Sequence, residues 1–212
     1  MSRCLWLTLT LLGCLATPEF PLLDEIPVVA QSEVCAAPRE EVSACGVDGD
    51  TLDLVSCLSG ERVRLIGVSA AETSSQECFA EEASAELDRL VRGRRVRLSF
   101  DVECVDVTGS QRTLAYVWLM GEAALDRAVP NDNDLDGIDL EHPFADDGPA
   151  LLINEWLIAR GFARVYPEER FGEPLLGRRL RLAEVEAQRN SYGLWGVCED
   201  PDEALPPPKT PI

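Results

Sequence analysis

The chain has 212 residues and a formal net charge of −19 at pH 7, with 38 acidic residues against 19 basic ones. This length is enough for one domain with a sizeable core. A field this negative repels polyanions at long range, which argues against a protein that coats nucleic acid non-specifically. A local arginine pocket for a single phosphate stays compatible with the composition.

The N-terminal segment has the features of an export signal. Residues 1–16 combine a positive start with an apolar run, CLWLTLTLLGCLA, that is too short to span a bilayer. Residues 11–14 read LLGC, which resembles the lipobox of bacterial lipoproteins and predicts lipidation at Cys14; ordinary cleavage after Ala16 or Ala30 is the alternative. We therefore expect an exported protein that is secreted, periplasmic or lipid-anchored at the cell envelope, with membrane contact only through such an anchor.

The cysteines favour disulfides. Of the eight, two lie in the signal segment, which leaves an even number in an exported chain. Oxidising compartments favour disulfide formation, although spacing alone leaves the connectivity open. Zinc is disfavoured because no two of these cysteines have C-x-x-C spacing and His142 is the only histidine. The remaining cysteines are Cys35, Cys45, Cys57, Cys78, Cys104 and Cys198.

Short alternating segments predict a β-rich domain. Residues 17–40 carry prolines and acidic residues without periodicity, and we expect them to form a linker. From residue 41 onward, apolar and polar residues alternate between hairpin turns, which is typical of half-buried strands. Three predicted strands precede the first helix and two follow it. In chain order they read EVSACGV, TLDLVSC, RVRLIGV, RVRLSFDV and TLAYVWL.

Three apolar stripes at helical spacing predict helices. The first opens at a capping-box sequence, residues 74–77, and stops at Gly93. The second lies in ALLINEWLIARG and the third in PLLGRRLRLAEVEAQRNSYG. This order of elements predicts an α+β, mainly β architecture, in which a closed or nearly closed five-stranded barrel has helices on one side. Residues 199–212 have the composition of a disordered tail.

An acidic insertion, residues 121–149, separates the last strand from the second helix. Asp132, Asp134 and Asp136 have the spacing of the first ligands of an EF-hand-like calcium loop. The match then ends, because Pro143 stands where a bidentate glutamate is expected. Two interpretations remain, a solvated acidic loop and a structural calcium site.

Several charged residues could take part in chemistry, yet each also has a structural explanation. Asp50 lies in a sequence typical of an ordinary hairpin turn, and Arg64 could pair with a nearby acid. Glu72 precedes a predicted helix start, where a carboxylate is electrostatically favourable. Arg112 could be a surface residue in a turn. Taken singly, none of them indicates a function.

Taken together, the sequence blocks closely resemble the staphylococcal nuclease-like (thermonuclease) family. They run in order from about Val47 to Gly196 and are interrupted by the acidic insertion. The blocks read VDGDT, RVRLIGVSAAE, ECFAEEASAEL, GRRVRLSFDVECVD, RTLAYVWL, LINEWLIARGFARVYP and AQRNSYGLWG. The resemblance implies that residues 41–198 form an OB-fold barrel packed against three helices. It also implies hydrolysis of phosphodiester bonds in DNA and RNA with one calcium ion. Given the acidic charge, we expect short or single-stranded substrates. We also expect a monomeric protein.

The resemblance further implies roles for individual residues. Asp50 matches a calcium-ligating aspartate, Arg64 an arginine that holds the scissile phosphate, and Glu72 the general base for the attacking water. Arg112 matches a second phosphate-binding arginine, and Tyr166 falls near a substrate-contacting tyrosine. These types suit the reaction, because guanidinium groups meet phosphate oxygens bidentately and a carboxylate can take a proton from water.

The chain departs from the family pattern at the exit of the third strand. Where the family writes DTPE or DAPE, this chain has Ser69, Ala70, Ala71 and Glu72. Ser69 thus replaces the second calcium-ligating aspartate, while Ala70 can still offer a backbone carbonyl. Calcium affinity depends on charged oxygen ligands, so we expect weakened metal binding. The expected function is a calcium-dependent nuclease with a weakened metal site; the alternatives are an inactive nuclease-like binding module of the cell envelope and a structural envelope protein whose calcium lies in the insertion.

Disulfide pairing is also suggested by the resemblance. Exported relatives often carry cysteines at the positions of Cys78 and Cys104, which implies a Cys78–Cys104 bond. For the other cysteines, we expect Cys45–Cys57 across the first hairpin and a bond from Cys35 to Cys198 that joins the termini.

Overall fold

The computed structural model describes residues 37–106, 112–124, 138–139, 148–166 and 174–201. The strands are β1 (Arg39–Gly46), β2 (Thr51–Leu54), β3 (Arg62–Leu65), β4 (Val68–Ser69), β5 (Arg95–Ser99), β6 (Thr113–Met120), β7 (Ile138–Asp139), β8 (Ala150–Leu152) and β9 (Arg164–Val165). The helices used below are α1 (Ala80–Val91), α2 (Ile153–Ala159), α3 (Gly177–Arg189) and α4 (Leu194–Val197).

Five strands close into the OB-fold barrel that the sequence predicts. Neighbouring strands follow the order β3-β2-β1-β5-β6, and a parallel pairing of β3 with β6 closes the ring. In this pairing Val63 lies opposite Thr113 and Leu65 lies opposite Ala115. The other pairings within the ring are antiparallel, and β8 and β7 extend the sheet beyond β6. Closure leaves no free edge between β3 and β6, which fixes where β3 leaves the barrel.

The core fills the barrel and the layer between the barrel and the helices. Leu52 and Leu54 of β2 and Val63 and Leu65 of β3 are buried, as the alternation predicts. Thr51 and Asp53 are buried as well, so β2 lacks the exposed face that the alternation implies. The stripes of α1 and α3 face the same core, as expected from their spacing. Fully burying each such leucine contributes about 1.5–3 kcal/mol. The buried residues of the two helical stripes are Ala83, Leu87, Leu90, Leu180, Ala183 and Ala187.

The first helix begins later than the capping-box sequence predicts. Thr73–Ser75 forms a 3-10 turn, Gln76 and Phe79 have positive φ angles of 55° and 69°, and α1 starts at Ala80. Left-handed residues interrupt the helical hydrogen-bond ladder. Residues 74–77 therefore belong to the loop that leads away from the strand exit.

The expected Cys78–Cys104 disulfide is wrong. Cys78 pairs with Cys198, with Cα atoms 5.9 Å apart, and Cys104 is itself bonded in another disulfide. The fold explains the difference, because Cys78 lies on the loop before α1 and Cys198 directly follows α4. Cys104 is held at β6 instead, where its carbonyl oxygen accepts the Leu114 N–H at 2.8 Å.

Of the other two predicted disulfides, one is confirmed and one is wrong. Cys45–Cys57 is present, with Cα atoms 5.8 Å apart, and links β1 to the turn after β2. The expected bond from Cys35 to Cys198 is excluded because Cys198 is bonded to Cys78.

Several expectations concern residues that the structure does not describe. They include the signal segment with Cys14 and the acidic loop with Asp132, Asp134 and Asp136. Most of the linker and most of the tail, residues 202–212, also fall outside the described ranges, although β1 already begins at Arg39. Within the described ranges, none of the helices has the length and apolar character needed to cross a bilayer.

Candidate functional site

The candidate site lies where β3 leaves the barrel, and it begins with an ion pair. Thr51 of β2 pairs with Arg64 of β3, which brings Asp50, one residue before Thr51, next to Arg64. Arg64 Nη1 lies 2.7 Å from Asp50 Oδ2 and also donates to the Asp50 carbonyl oxygen at 3.2 Å. The fold thus brings together two of the residues that the sequence singles out.

Protein donors enclose the Asp50 carboxylate, which is 6% exposed. Oδ2 also accepts the Ala70 N–H at 3.0 Å, and Oδ1 accepts the Thr51 hydroxyl at 2.9 Å. Burial raises the pKa of Asp50 to about 6, because the lowering effect of Arg64 is outweighed by desolvation and by the nearby Asp48 carboxylate. A carboxylate held at such an electrostatic cost is typical of functional sites.

A glycine allows the Asp50 turn to approach the strand exit. A Cβ atom at Gly49 would lie 2.4 Å from the Ala70 Cβ and 2.7 Å from the Ala83 Cβ, which is too close for any side chain. The turn therefore packs directly between the exit and helix α1. This contact makes the position of Asp50 depend on both the barrel and the helical layer.

A two-stranded sheet, β4 with β9, continues from the exit. Ser69, which is 6% exposed, pairs with Arg164, and the Tyr166 N–H donates to the Gly67 carbonyl oxygen at 2.9 Å. As a result, the Tyr166 ring lies 5.9 Å from the guanidinium carbon of Arg64. The sequence does not reveal this sheet because strands of two residues carry no periodicity. It nevertheless brings Tyr166 close to Arg64, and the role of a substrate-contacting tyrosine stays a prediction.

Glu72 follows the exit and is exposed. Its backbone N–H donates to Glu77 Oε2 at 2.8 Å, and its carbonyl oxygen accepts the Glu77 N–H at 3.3 Å. The predicted base thus stands at the solvent side of the exit, on a loop whose backbone is bonded to Glu77. Water has direct access to it.

Arg112 is engaged with a different partner. Its Nη2 donates to Asp106 Oδ2 at 3.2 Å, and the Asp106 N–H donates to the Arg112 carbonyl oxygen at 2.9 Å. Among the described residues, the contacts of Arg112 therefore lead to Asp106 and do not join it to Arg64. The role of a second phosphate-binding arginine stays a prediction.

Asn154 is a supporting residue that the sequence reasoning missed. It is fully buried on α2, where its Oδ1 accepts the Val117 N–H at 2.9 Å. Its Nδ2 donates to the carbonyl oxygens of Ile66 at 2.9 Å and of Ala115 at 3.4 Å. These bonds hold the end of β3 against β6 beside the exit. A lone amide within the apolar helical stretch LINEWLI is the signal that could have identified it.

The donors at the exit match calcium in kind but not in number. Asp48 and Asp50 supply carboxylates, Ser69 a hydroxyl and Ala70 a carbonyl, and calcium prefers such oxygen ligands. However, Asp50 Oδ2 already accepts from Arg64, whose charge balances the carboxylate, and from the Ala70 N–H. Across the described residues, no three His, Cys, Asp or Glu side chains converge on one point. These residues do not fit a resident calcium ion, and we assign no chemical step to one.

A family model matches this chain over the region that contains the exit. The model of the family described as staphylococcal nuclease homologue matches residues 62–197, more than half of the chain. The match includes Arg64, Ser69 and Glu72, whereas Asp50 precedes it. The thermonuclease of Staphylococcus intermedius is 41% identical over 80 residues, an alignment that covers 36% of this chain and 46% of that protein. The chain therefore spans less than half the length of this relative.

Proposed function

Because this chain belongs to the staphylococcal nuclease homologue family, we propose that its strand-exit site binds nucleic-acid phosphodiesters and hydrolyses them slowly. The observation that carries the proposal is the Arg64–Asp50 pair, with Nη1 2.7 Å from Oδ2, next to the buried Ser69. This pair places the Arg64 guanidinium, a cation that can bind phosphate, at the exit. It also occupies the Asp50 carboxylate that a metal ion would need.

Binding follows from the geometry of Arg64. Its described hydrogen bonds to Asp50 use Nη1, and a guanidinium has five N–H donors. The edge formed by Nε and Nη2 is therefore suited to two phosphate oxygens, which is the strong bidentate mode of arginine. The Tyr166 ring, 5.9 Å from the guanidinium carbon, limits how far this edge can turn. The proposed ligand is a phosphodiester of a short or single-stranded nucleic acid.

Hydrolysis would use the exposed carboxylate of Glu72. Water attacks the phosphorus atom, Glu72 takes the proton, and the bond from phosphorus to the leaving oxygen breaks as that oxygen gains a proton from solvent. A general base of this kind contributes about 10²–10⁴-fold. Negative charge on the phosphate oxygens is met by Arg64, and Arg112 would join it only after leaving Asp106.

Slow turnover follows from the missing carboxylate at Ser69. Removing one electrostatic component of a preorganised site commonly costs about 10²–10³ in rate. Because the residues at the exit do not fit a resident calcium ion, the calcium dependence expected for the family is not assigned to the native chain. Restoring the carboxylate by Ser69→Asp should introduce calcium binding at the exit and raise the rate of hydrolysis.

The test measures cleavage of short single-stranded DNA and RNA by the purified protein across a calcium titration, with Glu72→Ala and Ser69→Asp alongside. Weak cleavage by the native protein that disappears in Glu72→Ala supports the proposal. Cleavage that persists in Glu72→Ala would overturn the assigned base.

A second candidate function is a phosphate-binding module without catalysis. Two observations favour it, namely the neutralised Asp50–Arg64 pair and the engagement of Arg112 with Asp106. It predicts oligonucleotide binding that depends on Arg64 with no cleavage at any calcium concentration. Cleavage that appears only after Ser69→Asp would establish this candidate and exclude native hydrolysis.

We also propose that the protein is exported and monomeric. The Cys45–Cys57 and Cys78–Cys198 bonds support export, because disulfides persist in oxidising compartments. Fractionation of the native host, with the intact mass of the mature chain, distinguishes lipidation at Cys14 from simple cleavage. Light scattering of the mature protein tests the monomer.

A further inference from the structure

We infer that Glu77 is a positioning residue for Glu72, and that the Cys78–Cys198 disulfide in turn fixes Glu77. The chemical part of this inference rests on the proposed function, in which Glu72 takes a proton from water. The positional part rests only on the contacts of the loop and can be tested without catalysis.

The Glu77 side chain closes the loop on itself. Its Oε2 accepts the Glu72 N–H at 2.8 Å, and its Oε1 accepts the Ser75 hydroxyl at 2.8 Å. The Glu77 N–H also donates to the Glu72 carbonyl oxygen at 3.3 Å. The backbone of Glu72 is therefore bonded at both its N–H and its carbonyl oxygen by a single residue. Both carboxylate oxygens of Glu77 are used within this turn.

The loop has little else to hold it. Residues Thr73–Ser75 bury no side chain, and the Glu72 side chain is exposed. Exposed loops of this kind are ordinarily the most mobile parts of a fold. The order of this loop thus depends on its internal hydrogen bonds and on its two ends.

The end of the loop at Glu77 is fixed to the helical layer. Cys78, the next residue, is bonded to Cys198 directly after α4, with Cα atoms 5.9 Å apart. Phe79 then packs on Phe162, with ring centroids 5.6 Å apart, just past the end of α2. The backbone at Glu77 is therefore held in place by its neighbours Cys78 and Phe79.

The other end is fixed to the barrel by the site itself. Ala70, two residues before Glu72, donates its N–H to Asp50 Oδ2 at 3.0 Å. Glu72 therefore lies between two anchors, Asp50 on the barrel side and Glu77 on the helix side. This arrangement sets the distance between the Glu72 carboxylate and the Arg64 edge that holds the phosphate. A shift of the base by a fraction of an ångström lowers the rate of proton transfer without changing phosphate binding.

The test compares Glu77→Ala and Glu77→Gln in the full disulfide-bonded chain, with Glu81→Gln as the matched control. Glu81 is exposed, whereas Glu77 is half-buried, and it lies in the first turn of α1, so the control removes the same charge from the same neighbourhood. The first measurement is amide hydrogen exchange at Glu72. Loss of a charged acceptor should raise the exchange rate about 10-fold in Glu77→Ala. Glu77→Gln keeps one oxygen acceptor and should recover part of the protection, while the control should match the native protein.

The second measurement is kcat and KM on a short single-stranded DNA. A positioning role predicts a kcat that is about 10-fold lower in Glu77→Ala with KM unchanged, because Arg64 still binds the phosphate. A raised KM with unchanged kcat would mean that Glu77 contacts the substrate instead, and it would overturn the inference. An equal loss in Glu81→Gln would show a charge effect and overturn it as well.

The two proposals fail in distinguishable ways. If Glu72 exchanges at the native rate in Glu77→Ala, the positioning inference is wrong whatever the activity. If exchange responds but the native protein cleaves nothing, the positioning stands and the proposed hydrolysis fails. Amide exchange at Val117, whose N–H donates to the buried Asn154, serves as an internal reference for global stability. If Val117 also exchanges faster in Glu77→Ala, the whole fold is destabilised, and the result for Glu77→Gln decides the outcome.

Discussion

Two aspartate–arginine pairs join β2 to β3, and the protein environment affects their carboxylates in opposite directions. Asp53 and Arg62 are direct cross-strand partners, with Arg62 Nε 2.9 Å from Asp53 Oδ1. Asp50 and Arg64, at the other end of the same strand pair, are 2.7 Å apart. The hydrogen bond from Arg62 holds the pKa of Asp53 below its usual range, whereas burial raises the pKa of Asp50 to about 6.

The difference comes from how each carboxylate is surrounded. Arg62 donates to both oxygens of Asp53, with the Nη2 contact at 3.3 Å, and the Leu58 N–H adds a bond at 2.7 Å. Arg62 also reaches solvent. Asp50 instead lies at the junction of barrel and helices, receives a single nitrogen of Arg64, and sits beside another carboxylate. The ionised carboxylate is well satisfied in the Asp53–Arg62 pair and costly in the Asp50–Arg64 pair. We therefore interpret the Asp53–Arg62 pair as structural and the Asp50–Arg64 pair as part of the functional site.

The strongest way to sharpen this contrast is to give Asp50 a second carboxylate. Ser69→Asp should raise hydrolysis of short single-stranded DNA by about 10²–10³ at millimolar calcium, because a cation can then replace Arg64 as the charge that balances Asp50. Ser59→Asp, at the exposed turn near the Asp53–Arg62 end, adds the same charge and should change nothing. Equal rates for Ser69→Asp and the native protein would contradict the assignment of Ser69.

The pH dependence of unfolding should separate the two aspartates. The pKa of Asp50 is raised, so its contribution to stability is complete below its unfolded pKa of 3.8 and is lost as the pH rises through about 6. The loss amounts to about 3 kcal/mol, since each pKa unit corresponds to about 1.4 kcal/mol. Asp50→Asn should therefore flatten the fall in unfolding free energy between pH 4 and pH 7 in denaturant titrations.

Asp53 provides the opposite control for the same experiment. Its pKa is lowered, so its contribution is present above the unfolded pKa of 3.8 and is lost as the pH falls below it. Asp53→Asn should flatten only this acid limb. Identical slopes in the two variants would show that the environments of the two carboxylates do not differ as described.

The contrast also shows what the sequence could predict. Alternation in TLDL and RVRL predicts the paired strands, and the resemblance places Asp50, Arg64 and Glu72 near one exit. These inferences hold because periodicity and local blocks are encoded within a few residues. The sequence could not predict which carboxylate is well satisfied and which is costly to ionise, because that depends on the donors around each one and on neighbours such as Asp48.

Long-range contacts account for the rest of what was missed. The bond of Cys78 to Cys198 depends on where α4 docks, some 120 residues along the chain. The engagement of Arg112 by Asp106 is a side-chain contact that no short motif specifies. Glu77 matches a capping box in sequence, yet its carboxylate bonds the Glu72 N–H because the backbone turns back before α1. In each case the local sequence suggested one partner for the residue, and the tertiary structure gives it a different one.

Binding of an oligonucleotide should depend on Arg64 and not on Arg62. Arg64→Ala should weaken the binding of a short single-stranded oligonucleotide about 10–100-fold, because a charge-assisted bidentate contact is lost. Arg62→Ala should stay within about twofold of the native affinity, because both oxygens of Asp53 already engage this side chain. Fluorescence anisotropy at fixed salt measures both. Equal losses would indicate a general charge effect rather than a phosphate site.

The smallest expected effect comes from exchanging each arginine for lysine, which keeps the charge but removes the planar fork. Arg62→Lys should lower the free energy of unfolding by about 0.5–1 kcal/mol, because Asp53 loses one of two simultaneous contacts. Arg64→Lys should change stability less, because Asp50 is contacted through Nη1 and an ammonium group can replace a single nitrogen. The same Arg64→Lys variant should nevertheless bind the oligonucleotide more weakly, since the Nε–Nη2 edge is gone. If Arg62→Lys lowers stability and Arg64→Lys lowers ligand affinity, the planar guanidinium of Arg62 supports the fold and that of Arg64 binds the ligand. The reverse result would place the phosphate next to Arg62, at the other end of the strand pair.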